Sequence, residues 1–300
     1  MKKRIMALAL SLCLFMAFPF SAQAADDNGL SDKAFTVQIY TLDTGGGGVY
    51  HQMQGACTDG RYIWGGWNNR RIITRLDTFT GELQTKTFSE EDWMCGHIND
   101  MAYNPNTNKV YIVCYDPADW STRGDVAVFD PITLEFEWMI KLKYPSGEMV
   151  PINSMVYDRT RNRYVVSLAS QDGEHNVILD EHFNYVAPFS LDRAEELVLQ
   201  GFDTDGTYIY RAVWEKNTGN FISVYDMDGR FITQIDTGLS PKDMELEDVM
   251  CDWNGSLFLN CTRRDGRGGN FYYTQLWPDK DLSRLENVLG RIAAPIDCTL

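Results

Sequence analysis

The chain has 300 residues, of which 44% are hydrophobic and 13% aromatic, and its 42 Asp plus Glu outweigh 27 Lys plus Arg to give a formal charge of −15. That length and composition suit a single domain with a large core. The acidic excess repels phosphate backbones and anionic lipid heads, which excludes nucleic acid and membrane surfaces as natural partners.

The chain begins with an address. Lys2, Lys3 and Arg4 precede an apolar run from Ile5 to about Phe20, and Ala22-Gln23-Ala24 makes a small-residue cleavage site. This is the pattern of a secretory signal peptide over residues 1–24, with the mature domain at 25–300. Leu12, ahead of Cys13, is too bulky for a lipoprotein signal, so no lipid anchor is expected. No later run of about 18 apolar residues exists, so no membrane insertion is expected. The protein is expected to be secreted, extracellular or periplasmic, and a monomer.

Residues 35–42 alternate with period two and read as a strand that precedes the first repeat without a partner. Gly45 to Gly48 follow as a flexible passage. A motif then recurs five times: a polar residue opens an apolar run, a turn follows, and a second β-rich run returns. The copies open at Gln54, Asn99, Asn153, Gln200 and Glu247, spaced by 45, 54, 47 and 47 residues. Such a period marks an array of one supersecondary unit. In four copies a strand ending in Asp and a turn follows 23 to 31 residues later, at Asp77, Asp130, Asp180 and Asp226. Asp suits these sites because it bonds its own backbone. Each unit therefore reads as four antiparallel strands. The fold class is all-β, a five-bladed β-propeller with blades near 50–90, 96–143, 151–190, 198–237 and 245–277. The fifth copy lacks a fourth strand, and residues 35–42 are expected to supply it and close the ring. After Pro278, the tail 278–300 places Leu282, Leu285, Val288, Leu289 and Ile292 at helical spacing, which predicts a short packing helix over 281–292.

Six cysteines lie beyond the leader: Cys57, Cys95, Cys114, Cys251, Cys261 and Cys298. They permit three disulfides in fifteen pairings, and Cys95 with Cys114, at one end of the first hairpin of blade two, is the favoured pair. No two show the spacing of a structural zinc site, and no metal or cofactor is expected.

Function is sought where the starts of the innermost strands meet the loops after the second strands. Gln54, Asn99, Asn153 and Gln200 with Glu247 make a mostly neutral ring suited to a small polar ligand, or equally to tying neighbouring blades together. Trp67, Trp120 and Trp214, beside Asn, Asp and Arg, offer flat apolar faces with planar hydrogen-bonding neighbours, the combination that holds sugars. The favoured reading is recognition of a neutral glycan or cell-wall fragment, with a secreted enzyme, a glycan-cleaving one included, or a protein-interaction platform as alternatives. Nucleophile elbows, zinc-protease motifs, phosphate loops and dinucleotide fingerprints are absent. The candidates for acid–base chemistry are Glu247, Asp248, His51 and His97. Asp203-Thr204-Asp205-Gly206 and Asp226-Met227-Asp228-Gly229 lack the later acid of a calcium loop and read as turns.

The copies around Asn99 and Asn153, with Phe129-Asp130-Pro131, resemble the YVTN and NHL class of propeller repeats. More narrowly, Gln54-Gly55 before a Tyr-rich strand, and Glu245-Leu246-Glu247 before Asn254 to Asn260, are similar to plant-type glutaminyl cyclases, also called glutamine cyclotransferases, which are five-bladed propellers. That resemblance implies cyclisation of N-terminal Gln. Where the family carries an acid on the second strand of its first blade, this sequence has Trp64-Gly65-Gly66.

Overall fold

The computed structural model describes residues 34–43, 52–67, 71–93, 95–114, 124–168, 176–192, 198–252 and 256–276. The leader, the tail with its expected helix, His51 and Trp120 lie outside these residues. The described elements are twenty strands in five antiparallel sheets of four.

The strand β1 (Phe35–Asp43) comes first in the chain. Blade one holds β2 (Met53–Thr58), β3 (Tyr62–Trp67), β4 (Ile72–Asp77) and β5 (Leu83–Thr87). Blade two holds β6 (Ile98–Asn104), β7 (Lys109–Cys114), β8 (Asp125–Phe129) and β9 (Phe136–Lys141). Blade three holds β10 (Ile152–Asp158), β11 (Arg163–Leu168), β12 (Asn176–Asp180) and β13 (Tyr185–Phe189). Blade four holds β14 (Val198–Thr204), β15 (Tyr208–Glu215), β16 (Gly219–Asp226) and β17 (Phe231–Asp236). Blade five holds β18 (Met244–Cys251), β19 (Leu257–Arg263) and β20 (Gly268–Gln275), and β1 pairs with β20 as its outer strand. The ring is thus closed by the N-terminal strand, and the innermost strands β2, β6, β10, β14 and β18 touch one another in turn around the axis.

Alternation along each strand turns one face of a blade to each neighbour, so the core is five inter-blade seams rather than one centre. Buried apolar clusters fill the seams between blades one and two, two and three, four and five, and five and one. A smaller cluster of Val156, Val165, Leu191, Phe202, Ile209 and Tyr225 fills part of the seam between blades three and four. The Asp turns form as expected: Oδ1 of Asp77, Asp130, Asp180 and Asp226 each accepts two backbone N–H groups from the turn it opens. Blade five has no such turn because its third and fourth strands come from opposite ends of the chain. Cys95 and Cys114 form a disulfide within blade two, while Cys57, Cys251 and Cys261 are buried free thiols. Among the described residues, no helix is long and apolar enough to cross a membrane.

Candidate functional site: the strand-start mouth of the channel

The five opening residues share one local geometry. In every innermost strand the pairing with the second strand shifts register at the opener, between Met53 and Ala56, Ile98 and Asp100, Ile152 and Ser154, Leu199 and Phe202, and Leu246 and Asp248. A bulge re-aims a side chain that regular alternation would leave on a blade face. The strand starts pair with the ends of the second strands, as in Met53 with Trp67 and Met244 with Arg263, so both sets of residues lie at one end of the channel.

Around this mouth the openers interact in pairs. Asn99 Nδ2 donates to Asn153 Oδ1 at 3.1 Å, and Gln200 Nε2 donates to Glu245 Oε1 at 3.4 Å. Arg264 pairs with Glu245 at 3.0 Å and lays its guanidinium 4.9 Å from the ring centre of half-buried Trp214. Glu247 is 2% exposed. Burial first, and then the Glu245 charge, push its carboxyl well above the ordinary range. The mouth is therefore mostly polar and uncharged: four amides, an acid whose ionisation burial opposes, and one balanced ion pair.

One layer below the openers, the next residues are Gly55, Asp100, Ser154, Gly201 and Asp248. Asp248 Oδ2 accepts the Ala56 N–H of blade one at 2.9 Å, and Asp100 Oδ2 accepts the Met155 N–H of blade three at 2.8 Å. Asp203, two positions further along its strand, accepts the Cys251 N–H of blade five at 2.7 Å. The glycines make room for these carboxyls, since a Cβ on Gly201 would lie 2.2 Å from Asp248 Oδ1. Asp100 and Asp248 also hydrogen-bond each other, and burial raises both, Asp100 to about 7. Asp203 is likewise raised to about 7 by burial, although it is partly accessible from the hairpin end. There a small cavity is lined by residues that include Tyr103, Tyr157, Arg159 and Asp203.

The structure sorts the expected site residues. Gln54, Asn99, Asn153, Gln200, Glu247 and Trp214 gather at the mouth, and Asp248 serves as a lock between blades beneath it. Trp67 does not offer a stacking face: it is 2% exposed and packs in the seam between blades five and one with Leu42, Met53 and Phe271. Its position explains this, since Ile63, Gly65 and Trp67 alternate onto the face turned to blade five, where Gly65 meets Phe271. Trp64 is equally buried, stacked 5.0 Å from Tyr103 with its Nε1 donating to Pro131 O. His97 is half-buried just before β6. Arg264 belongs to the loop Arg263-Arg264-Asp265-Gly266-Arg267 after the second strand of blade five, which the sequence places at this end of the channel, whereas Asn260 was not legible as a mouth residue.

No family model matches the chain, and no curated protein matches it. Among solved structures it is similar to a Myxococcus xanthus glutaminyl cyclase, at 13% identity, a TM-score of 0.55, and coverage of 81% of this chain and 97% of that one. It is also similar to a luciferin-regenerating enzyme, at 8% identity, a TM-score of 0.50, and coverage of 81% and 95%. These likenesses are likenesses of fold, and the fold they share with this chain is the propeller.

Proposed function

We propose that the protein is an exported, monomeric ligand-binding propeller that takes a small neutral polar molecule, a glycan or cell-wall fragment, at the strand-start mouth. The observation that supports this most is the neutral ring itself. Four half-buried amides at bulge positions present donors and acceptors without net charge, and Trp214 stands at the rim beside them. The buried disulfide fits an oxidising compartment. Calorimetric titration against neutral oligosaccharides and muropeptides tests the reading. Trp214→Ala and Asn99→Ala are each expected to weaken binding by roughly 1 to 3 kcal/mol at unchanged melting temperature. A panel with no binder retires it in favour of an interaction platform.

Glu247 supports a second reading, since a buried acid whose pKa burial raises, at a polar mouth, is placed for proton transfer. The glutaminyl cyclase among the similar structures makes N-terminal Gln peptides the substrates to try first, and Glu247→Gln is expected to abolish turnover. No pyroglutamate from the native protein would end this reading.

A further inference from the structure

We propose that the seam between blades five and one, at the strand-start mouth, holds a hard, oxygen-ligated metal cation through the side-chain oxygens of Glu247, Gln54 and Asn260. Three buried acceptors there lack hydrogen-bond donors: Glu247 Oε1, Gln54 Oε1 and Asn260 Oδ1. Asn260 cannot turn its amide to donate elsewhere, because its Nδ2 is already committed to Gln54 O at 2.6 Å and Met53 O at 3.3 Å. Thr262, which hydrogen-bonds Glu247, is likewise tied to Met53 O at 2.9 Å. Glu247 and Gln54 occupy the equivalent bulges of adjacent innermost strands. The corresponding pair in blades two and three, Asn99 and Asn153, bonds directly as donor and acceptor. At the five–one seam Glu247 Oε1 and Gln54 Oε1 are both buried and neither has a hydrogen-bond partner.

The sign of this set distinguishes it from other buried polar atoms lacking partners. In the three–four seam, Asn176 leaves both its donor and its acceptor open, next to Ser154 and Ser223 hydroxyls, an arrangement that water satisfies. The mouth of the five–one seam presents oxygens alone. Its open donor, Trp67 Nε1, lies farther from the axis, where the indole ring approaches Gly268 of β20. One carboxylate with two amide oxygens is a hard-ligand set, and sites of this kind in extracellular modules bind Ca²⁺ at about 0.1 to 1 mM.

The groups facing the Glu247 carboxyl are Glu245 and Arg264 at the rim, Asp248 below it on β18, Asp100 in contact with Asp248, and the Cys261 thiol of β19. The site needs none of the contacts of the saccharide reading and is tested without sugar. The purified protein is melted in CaCl₂, MgCl₂, NaCl or KCl, with ionic strength held constant by choline chloride, and the preferred cation is then titrated calorimetrically. The expected result is a saturable rise in melting temperature with one of these cations. Glu247→Gln should weaken binding at least ten-fold. Gln54→Glu adds charge at a half-buried position and should tighten it about ten-fold, a gain that misfolding cannot mimic. A melting temperature that follows ionic strength alone, meaning that water fills the seam, overturns the proposal. So does a Gln54→Glu variant that binds no tighter.

Discussion

Blade three touches two neighbours in different ways. Toward blade two it presents Met155, Tyr164, Val166, Leu168, Val177 and Leu179, part of a buried cluster of fifteen apolar residues. Toward blade four the buried apolar cluster has six. The rest of that face is a polar layer in which Ser154, Ser167 and Asn176 of one sheet meet Arg211, Ser223 and Gln234 of the next, with Arg211 Nη2 donating to Ser167 Oγ at 3.2 Å. The carboxyl locks span blades two to three, four to five and five to one, so among the described residues neither the three–four seam nor the apolar one–two seam has one. At the corresponding place on blade three stands Ser154, whose hydroxyl has no partner. A closed ring tolerates one weakly bonded seam, because parting it requires the other four to deform.

Opening the ring at its strongest closure should have the largest effect. Deleting residues 25–43 removes β1 and exposes the face that buries Ile39, Tyr40 and Leu42. At about 1.5 to 3 kcal/mol per side chain the loss is roughly 5 to 9 kcal/mol, comparable to the stability of a whole domain. A truncated protein that melts like the full mature chain would show that the termini do not close the ring. Next comes pH, which acts on the locked seams and spares the polar one. Asp100 titrates near 4 in the unfolded chain and at about 7 when folded. The folded state therefore holds the extra proton between these values, and the contribution of Asp100 to stability is greatest below pH 4 and falls as pH rises through 7. The drop is of order 4 kcal/mol, and urea melts from pH 4 to 8 should show it strongly reduced in Asp100→Asn.

Adjacent valines on β11 compare the two seams most directly, since Val166 faces blade two, Val165 faces blade four, and both are 0% exposed. Val166→Ala should cost about 2 to 3 kcal/mol, and Val165→Ala about 1 kcal/mol less, because part of its surroundings is polar. Equal losses would mean that the three–four seam is as cohesive as its neighbour. The smallest effect lies in the polar layer itself. Ser223→Ala removes a hydroxyl without a partner and should be neutral or stabilising by up to about 1 kcal/mol, whereas Ser167→Ala removes the acceptor of Arg211 and should destabilise by about that amount. Chemical denaturation of the two variants side by side decides the matter.

The architecture was legible because it is written five times. Openers, Asp turns and the unpaired strand at residues 35–42 each repeat or complete a pattern, and the structure places all of them as read. The Cys95–Cys114 pair followed from that register. What failed to show was anything that depends on which blade face a residue turns to. Trp67 looked like a loop aromatic at the end of a strand, and only its alternation with Ile63 and Gly65 places it in a seam. Asp248 was visible beside an opener, but its contact with Asp100 across the channel joins residues 148 apart in blades that are not sequence neighbours. Asn260 reads as an ordinary strand residue until its amide is seen to be pinned by the backbone of Met53 and Gln54.

The pairing of β1 with β20 also sets a timetable. Thr36 and Thr274, whose hydroxyls meet at 3.3 Å, are separated by 238 residues. Four blades are composed of consecutive segments and have all their strands once their own stretch of chain is made, but the first strand to be synthesised waits for almost the last. Pairings between such distant segments form slowly. Until then β20 presents an open edge, so the interval between the emergence of blade four and the docking of β1 is when a second nascent chain could add its own strand in place of the proper one.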